Sequence, residues 1–152
     1  MSDNVYLGNP NLKKANTQIQ FSAKQIEEFV KCKNDPVYFA KKYVKIVSLD
    51  EGLVPFQPYK FQEKLIKRFH RERFNICKMP RQTGKSTTVV SYLLHYAVFN
   101  DSVNIGILAN KAATARELLG RLQTAYENLP RWMQQGIIAW NKGSLELENG
   151  SK

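Results

Sequence analysis

Gly84, Lys85 and Ser86 constrain the possible folds of this chain more than any other part of the sequence. They lie between a short apolar stretch at 74–79 and a long apolar run at 87–99. In a phosphate-binding loop the glycine lets the backbone approach the anion, while the amides that open the next helix point at it. We therefore predict a strand, a phosphate-binding loop and a helix in succession; a simple helix-capping turn is the alternative.

The full phosphate-loop pattern, G-x-x-x-x-G-K-[ST], begins with a glycine, and Met79 occupies that position here. In such loops the lysine bridges the β- and γ-phosphate oxygens and the hydroxyl residue ligates Mg²⁺, roles that fall to Lys85 and Ser86. Arg81 either lies in solvent or beside a carboxylate, or it swings onto the γ-phosphate. The residues expected to bind Mg-ATP are Arg81, Gln82, Thr83, Gly84, Lys85, Ser86 and Thr87, with Thr87 as a second hydroxyl candidate.

Helical and strand-like patterns alternate along the chain, which is typical of an α/β fold. Helices are predicted from the capping-box pair Ser22 and Gln25, at 36–43, from Pro58 to about Arg71, at 87–99 and at 111–129. Strands are predicted at 74–79, 103–109, 137–140 and 145–148, and residues 46–56 form a connector with a turn at Glu51 and Gly52. This order predicts the start of a parallel βαβ sheet with right-handed crossovers and flanking helices.

The charge balance favours a polyanionic partner, because 23 lysines and arginines oppose 13 acids, a net charge of +10. One face of the helix at 58–71 carries Lys60, Lys64, Lys67, Arg68 and Arg71. This face is either the solvated side of an amphipathic helix, whose apolar side is Phe61, Leu65, Ile66 and Phe69, or a contact for nucleic acid. The two cysteines have no metal-ligand or redox spacing, which predicts an intracellular protein. No apolar stretch approaches the ~20 residues of a membrane span, which predicts a soluble protein.

Several stretches are similar to the ATPase domain of the tailed-phage terminase large subunit, most closely the form of contractile-tailed phages. They are residues 11–16, 35–40, 81–86, 106–109 and 140–144, and the resemblance covers nearly all residues from about 6 onward. Terminases often lack the first glycine of the loop and carry Arg-Gln before the second. The resemblance implies a P-loop NTPase (RecA/helicase-like) fold with a parallel sheet and flanking helices. It also implies an ATP-driven motor that packages double-stranded DNA, working with portal protein and the small terminase subunit in the host cytoplasm.

The resemblance also implies roles for individual residues. Arg81 matches the arginine proposed to trigger hydrolysis in cis. Phe61 and Gln62 fall where related motors carry an aromatic–glutamine pair that recognises adenine, and Gln57 is the competing candidate. The alternative for Phe61 and Gln62 is a core aromatic and a helix-face residue. Residues 109–111 correspond to a helicase-like motif that contacts DNA or couples subdomains.

The downstream half of the family's ATPase site has no counterpart after Lys111. A Walker B strand ending in Asp-Glu is missing, since Glu146 and Glu148 alternate with leucines in a hairpin-like stretch. We expect residues 1–20 to form an arm and 21–152 the N-terminal portion of an ATPase domain that is incomplete at the C-terminus, in a truncated, split or cut terminase. Such a chain is expected to bind nucleotide weakly, to hydrolyse little or none, and to self-associate through an exposed sheet edge.

Two rival functions share these features. A helicase-like superfamily 2 ATPase has the same loop and an upstream glutamine, but not the block at 140–143 that we associate with terminases. A basic nucleic-acid-binding module with a vestigial loop would bind duplex DNA without responding to Mg-ATP.

Overall fold

The computed structural model describes residues 4–48 and 50–152, and within them five helices and six short strands are formed. In chain order these are β1 (Val5–Tyr6), β2 (Asn9–Lys13), α1 (Ala23–Asn34), α2 (Pro36–Tyr43), β3 (Lys45–Ser48), β4 (Gly52–Pro55), α3 (Lys60–Arg71), α4 (Lys85–Phe99), α5 (Ala112–Glu127), β5 (Ile137–Trp140) and β6 (Leu145–Leu147). Among the described helices, none combines the length and apolar character that crossing a membrane requires.

Local hydrogen bonds explain where the first two helices begin. The Ser22 hydroxyl accepts from the Gln25 amide at 3.3 Å while the Gln25 side chain accepts from the Ser22 amide at 2.9 Å, so the predicted capping box is confirmed. Asp35 caps α2, with one carboxylate oxygen accepting from the amides of Val37 and Tyr38. Pro36 is the first residue of α2, where its missing N–H costs no hydrogen bond.

Helix α4 forms the centre of the core and packs against α2, α3 and α5. Its residues Leu94 and Val98 are almost completely buried. Phe99 contacts the ring of Phe39 edge-to-face with centroids 5.3 Å apart, and Phe29 in the same manner at 4.9 Å. The helix begins at Lys85, two residues earlier than the apolar run predicts.

Two hairpins border this helical core. The predicted strands at 137–140 and 145–148 are confirmed as β5 and β6, joined by a turn in which the Asn141 side chain accepts from the amides of Gly143 and Ser144. The predicted connector at 46–56 is wrong in part, because β3 and β4 pair there in antiparallel register. β-branched and aliphatic residues opposite each other favour the pairing, and Gly52 supplies the turn with φ of 72°.

The strands predicted at 74–79 and 103–109 are not formed, since neither segment joins a β-ladder with any part of the chain that the structure describes. Phe74 and Ile76 are 83% and 101% exposed, and Leu108 is 92% exposed. Apolar residues favour a strand, but a β-ladder also requires a neighbouring backbone that pairs with the N–H and C=O groups of the segment. The three two-stranded sheets that are described are antiparallel, and the parallel P-loop sheet stays a prediction.

Two short parallel contacts nevertheless occur. The Lys152 amide donates to the Val103 carbonyl at 2.9 Å, and the Ile105 amide donates to the Lys152 carbonyl at 2.7 Å. These two bonds follow the pattern of one step of a parallel ladder, with Lys152 opposite Asn104. Lys14 and Ile137 form the other parallel bridge.

The segment predicted as an N-terminal arm is partly docked on the rest of the chain. Leu12 is 2% exposed, and the Lys13 ammonium lies 2.9 Å from the Glu148 carboxylate. Gln134, itself buried, accepts from the Lys13 amide and donates to the Asn11 carbonyl. Residues 9–14 thus belong to the folded body rather than to a free arm.

A candidate phosphate-binding site

The loop before α4, residues 79–86 and called the phosphate loop below, has the backbone shape that its sequence requires. Gly84 is the N-cap of α4 and has φ of 72°, a left-handed conformation that glycine adopts at no steric cost. Gln82 also has a positive φ, of 60°. The first amides of α4 lack intrahelical partners and sit at the positive end of the helix dipole, so this end attracts anions.

The Lys85 side chain folds back onto the phosphate loop. Its ammonium donates to the carbonyls of Met79 at 3.0 Å and Pro80 at 2.5 Å, and the Thr83 hydroxyl also donates to the Pro80 carbonyl at 3.0 Å. The cation is therefore held beside the N-terminus of α4. Both favour a negative group at this position.

The other predicted loop residues differ in exposure. Arg81, Gln82 and Ser86 are exposed, whereas Thr83, Gly84, Lys85 and Thr87 are partly buried. Arg81 forms no ion pair with any acid among residues 4–48 and 50–152. Thr88, which lies outside the predicted site, is fully buried, and its hydroxyl donates to the Gly84 carbonyl at 2.9 Å. This bond fixes the junction between the phosphate loop and α4.

The structure brings Gln62 to the phosphate loop but turns Phe61 away from the core. Gln62 is 3% exposed, and its amide nitrogen lies 3.4 Å from the Thr83 carbonyl oxygen and 3.5 Å from that of Gly84. Phe61 is 45% exposed, so its prediction as part of the apolar face of α3 is wrong. Positions 62, 66 and 69 follow helical spacing, so the inward stripe contains Gln62 in place of Phe61 and keeps Ile66 and Phe69.

An exposed pair of aromatic rings stands at the end of α3 that faces the phosphate loop. Tyr59 and Phe61 stack with centroids 5.8 Å apart and an interplanar angle of 11°, although Tyr59 is 69% exposed. Gln57, the alternative to Gln62, is exposed as well. Tyr59 was not among the predicted site residues. Its aromatic side chain two positions before Phe61 is the feature of the sequence that points to it. Flat exposed rings of this kind provide a stacking surface.

The acids near the end of the chain serve a different purpose. Glu148 is partly buried and is bound by the Lys13 ammonium and by the Asn16 amide at 2.9 Å. Burial alone would raise the pKa of its carboxyl, but the hydrogen bonds from Lys13, Gly136 and Asn16 outweigh burial and hold the pKa below its usual value. In the described parts of the chain, no group of three or more His, Cys, Asp or Glu side chains could hold a metal ion.

The remaining predicted contacts lie on the surface. Residues 109–111 and the cationic residues of α3 are exposed; the latter are Lys60, Lys64, Lys67, Arg68 and Arg71. Of these cations only Arg71 is bound to an acid in the described parts of the chain, namely its neighbour Glu72.

A comparison with protein families gives a match over the second half of the chain. The model of the family described as "Terminase large subunit, T4likevirus-type, N-terminal" matches residues 76–152, half of the chain. The matched region begins just before the phosphate loop and contains α4, α5 and the β5–β6 hairpin. It confirms the resemblance noted in the sequence and indicates a role in the packaging of phage DNA. The chain therefore belongs to the T4-type family of the terminase large subunit, of which it carries the N-terminal family region.

Proposed function

We propose that this chain is the ATP-binding portion of a DNA-packaging motor and that Mg-ATP binds at the phosphate loop. The observation that carries the proposal is the placement of the Lys85 ammonium beside the N-terminus of a 15-residue helix, directly after a left-handed Gly84. A lysine, free amides and a helix dipole at one point match the charge of a polyphosphate. The family match favours this motor over the helicase-like alternative.

Each loop residue has a role in this proposal. Lys85 would exchange its contacts with the carbonyls of Met79 and Pro80 for the β- and γ-phosphates. Ser86 would ligate Mg²⁺, and Arg81 would reach the γ-phosphate. The base would lie against the stacked rings of Tyr59 and Phe61, and exposed Gln57, the alternative to Gln62, would read its edge. The central sheet would be the parallel sheet of P-loop proteins, for which the contact between Lys152 and the 103–105 segment is the supporting observation.

Hydrolysis by this chain on its own is proposed to be slow. An attacking water must be oriented by a carboxylate, and Mg²⁺ needs a second protein ligand. Glu148, one of the two acids near the end of the chain, already forms an ion pair with Lys13.

Duplex DNA, portal protein and the small terminase subunit are the proposed partners of the intact motor.

We also propose that the cationic face of α3 contacts duplex DNA. Each of the five cations has another of them three or four residues away along α3, so they share one side of the helix. Because duplex DNA displays regularly spaced phosphates, a row of exposed cations fits it without reading its sequence. The same cationic face would carry the DNA binding of the alternative function, a basic nucleic-acid-binding module with a vestigial phosphate loop.

A thermal-shift titration with Mg-ATP tests nucleotide binding. We expect Mg-ATP to stabilise the wild-type chain by about 3 kcal/mol at a hundredfold excess over the dissociation constant, because a ligand that binds only the folded state shifts unfolding. Lys85→Ala should lose most of this stabilisation. Lys142→Ala, which removes one exposed positive charge from the β5–β6 turn, should keep it.

Two results would contradict the proposal. If Mg-ATP does not stabilise the wild-type chain, the basic binding module is favoured. If Lys85→Ala and Lys142→Ala behave alike, the nucleotide binds elsewhere. Phosphate release measured on the same samples checks the hydrolysis proposal, which fast turnover that depends on Lys85 would refute.

A further inference from the structure

Gln62 connects the start of α3 to the phosphate loop through both ends of its side-chain amide. It is the third residue of α3, and its oxygen accepts from the Tyr59 amide at 2.8 Å. Its nitrogen faces the carbonyl oxygens of Thr83 and Gly84, at 3.4 and 3.5 Å. This assignment places the acceptor opposite an N–H and the donor opposite two carbonyls. The amide is 3% exposed, so water does not compete freely for these partners.

The contact with Gly84 is close. A Cβ atom built on Gly84 would lie 2.5 Å from the Gln62 amide nitrogen, so any other residue there would have to displace the end of the Gln62 side chain. Gly84 leaves room for this contact and also has a φ of 72°, which other residues rarely adopt. The backbone of the phosphate loop lies directly against the amide of Gln62.

Peptide geometry gives this contact a consequence for anion binding. In a planar trans peptide the C=O and the following N–H point in opposite directions. The Thr83 carbonyl points towards Gln62, so the Gly84 N–H of the same peptide points away from Gln62. The Gly84 carbonyl also faces Gln62, so the Lys85 N–H points away from Gln62 as well. These are the amides that a phosphate group would meet at the start of α4.

We propose that Gln62 is a positioning residue that sets the direction of the Gly84 amide in the phosphate loop and, together with Thr88, that of the Lys85 amide. The proposal rests on the proposed binding of Mg-ATP at that loop. It assigns to Gln62 an effect on any polyphosphate, whatever base the ligand carries. Recognition of the base then falls to the exposed residues at the same end of α3, Gln57, Tyr59 and Phe61.

Two substitutions separate the ends of the bridge. Gln62→Glu keeps an acceptor for the Tyr59 amide, and so the start of α3, but replaces the donor with a carboxylate that faces two carbonyl oxygens. Gln62→Met has a similar size and removes both ends without adding a charge. Gln20→Glu is the matched control, since Gln20 is exposed and lies outside the phosphate loop and α3.

The experiment measures the affinities of Mg-ATP, Mg-GTP and Mg-tripolyphosphate, a ligand without a base, for each variant. We expect Gln62→Met to weaken all three by the same factor, about tenfold for the loss of buried hydrogen bonds. The ratio of ATP to GTP affinity should not change, and Gln20→Glu should match the wild type. An unchanged tripolyphosphate affinity together with a lost preference for ATP would overturn the proposal and make Gln62 a reader of the base.

A second measurement needs no ligand. The Thr88 amide donates to the Gly84 carbonyl at 3.0 Å, so its hydrogen exchange reports on the loop–helix junction. Exchange of this amide should be faster in both Gln62 variants, while amides in the last two turns of α4 keep the wild-type rate. Unchanged Thr88 exchange would overturn the positioning role even if nucleotide binds. If the wild-type chain binds none of the three ligands, the proposed function fails, and the exchange result still decides whether Gln62 positions the loop.

Discussion

His95 is a buried histidine on α4 that the fold requires in its neutral form. The ring is 1% exposed, and its Nε2 lies 2.9 Å from the Cys32 carbonyl oxygen, so Nε2 carries the hydrogen and donates. Nδ1 has no hydrogen-bond partner in the described parts of the chain. Burial lowers the pKa of the His95 ring to about 4, and the nearby ring of His70 adds to this effect while the Cys32 carbonyl opposes it.

Acidification should therefore weaken the fold through His95. Between pH 6.5 and about 4 the unfolded chain binds a proton at this ring and the folded chain does not, so stability falls as the pH is lowered through that range. The slope for one such group approaches about 1.4 kcal/mol per pH unit. Urea unfolding from pH 7.5 to 5 should show that His95→Phe flattens the slope, whereas His70→Gln retains most of it, because burial is the larger cause of the lowered His95 pKa. Equal slopes in the wild type and His95→Phe would refute this assignment.

The urea titrations stop at pH 5 because the Glu28 carboxyl titrates at lower pH. The Glu28 carboxylate accepts from Lys42, Tyr38 and Tyr43, and these hydrogen bonds, that of Lys42 foremost, hold the pKa of its carboxyl below the ordinary value of 4.5. A carboxyl with a lowered pKa contributes stability that is lost only as the pH falls through 4.5 and below. Between pH 6.5 and 5 the pH dependence of stability thus reports on His95, while that of Glu28 begins at lower pH.

At the scale of the element, α3 serves two neighbours at once. Its inner side presents Gln62 to the phosphate loop and Ile66 to the core, where both are buried. Its outer side carries exposed cations, among them Lys64 and Lys67, which form no ion pair with acids of the described residues. Lys41 of α2 binds Glu63 at 2.7 Å, so the acid on this helix is already neutralised.

The outer side of α3 predicts a specific salt dependence of duplex binding. Each cation that neutralises a phosphate adds about 0.9 to the slope of log affinity against log salt concentration. The double variant Lys64→Gln, Lys67→Gln should lower that slope by about two, whatever the DNA sequence. Lys24→Gln with Lys142→Gln, an equal charge change at exposed sites elsewhere, should leave it near the wild-type value. Identical slopes for the two double variants would mean that α3 does not contact the duplex.

At the scale of the whole molecule, the N-terminal strand pair and the C-terminal hairpin form one packed unit. Leu12 and Ile137 are buried, and the Ala15 amide donates to the Ile137 carbonyl at 3.2 Å. Lys13 is 7% exposed and meets Glu148 across the chain. A buried ion pair adds little net stability, since desolvation offsets the attraction. The apolar contact of Leu12 should therefore dominate this docking.

Truncation of Leu12 tests whether the docking stabilises the whole chain. We expect Leu12→Ala to lower the free energy of unfolding by about 2–5 kcal/mol, because it removes buried methyl groups and leaves a cavity. Leu7→Ala, at a site that is 87% exposed, should change it by less than about 0.5 kcal/mol. Chemical denaturation measures both. If the two variants unfold alike, residues 9–14 do not contribute to the stability of the body.

The sequence by itself determined the features that depend on neighbours within a few residues. The caps at Ser22 and Asp35, the Asn141 turn, the glycine of the phosphate loop and the family motifs were all predictable, because each rests on local hydrogen bonds or on a local backbone conformation. Tertiary structure decided what depends on a distant partner. It placed Gln62 rather than Phe61 inside, docked residues 9–14, and left 74–79 and 103–109 without a ladder, because burial and strand pairing are set by whatever packs alongside.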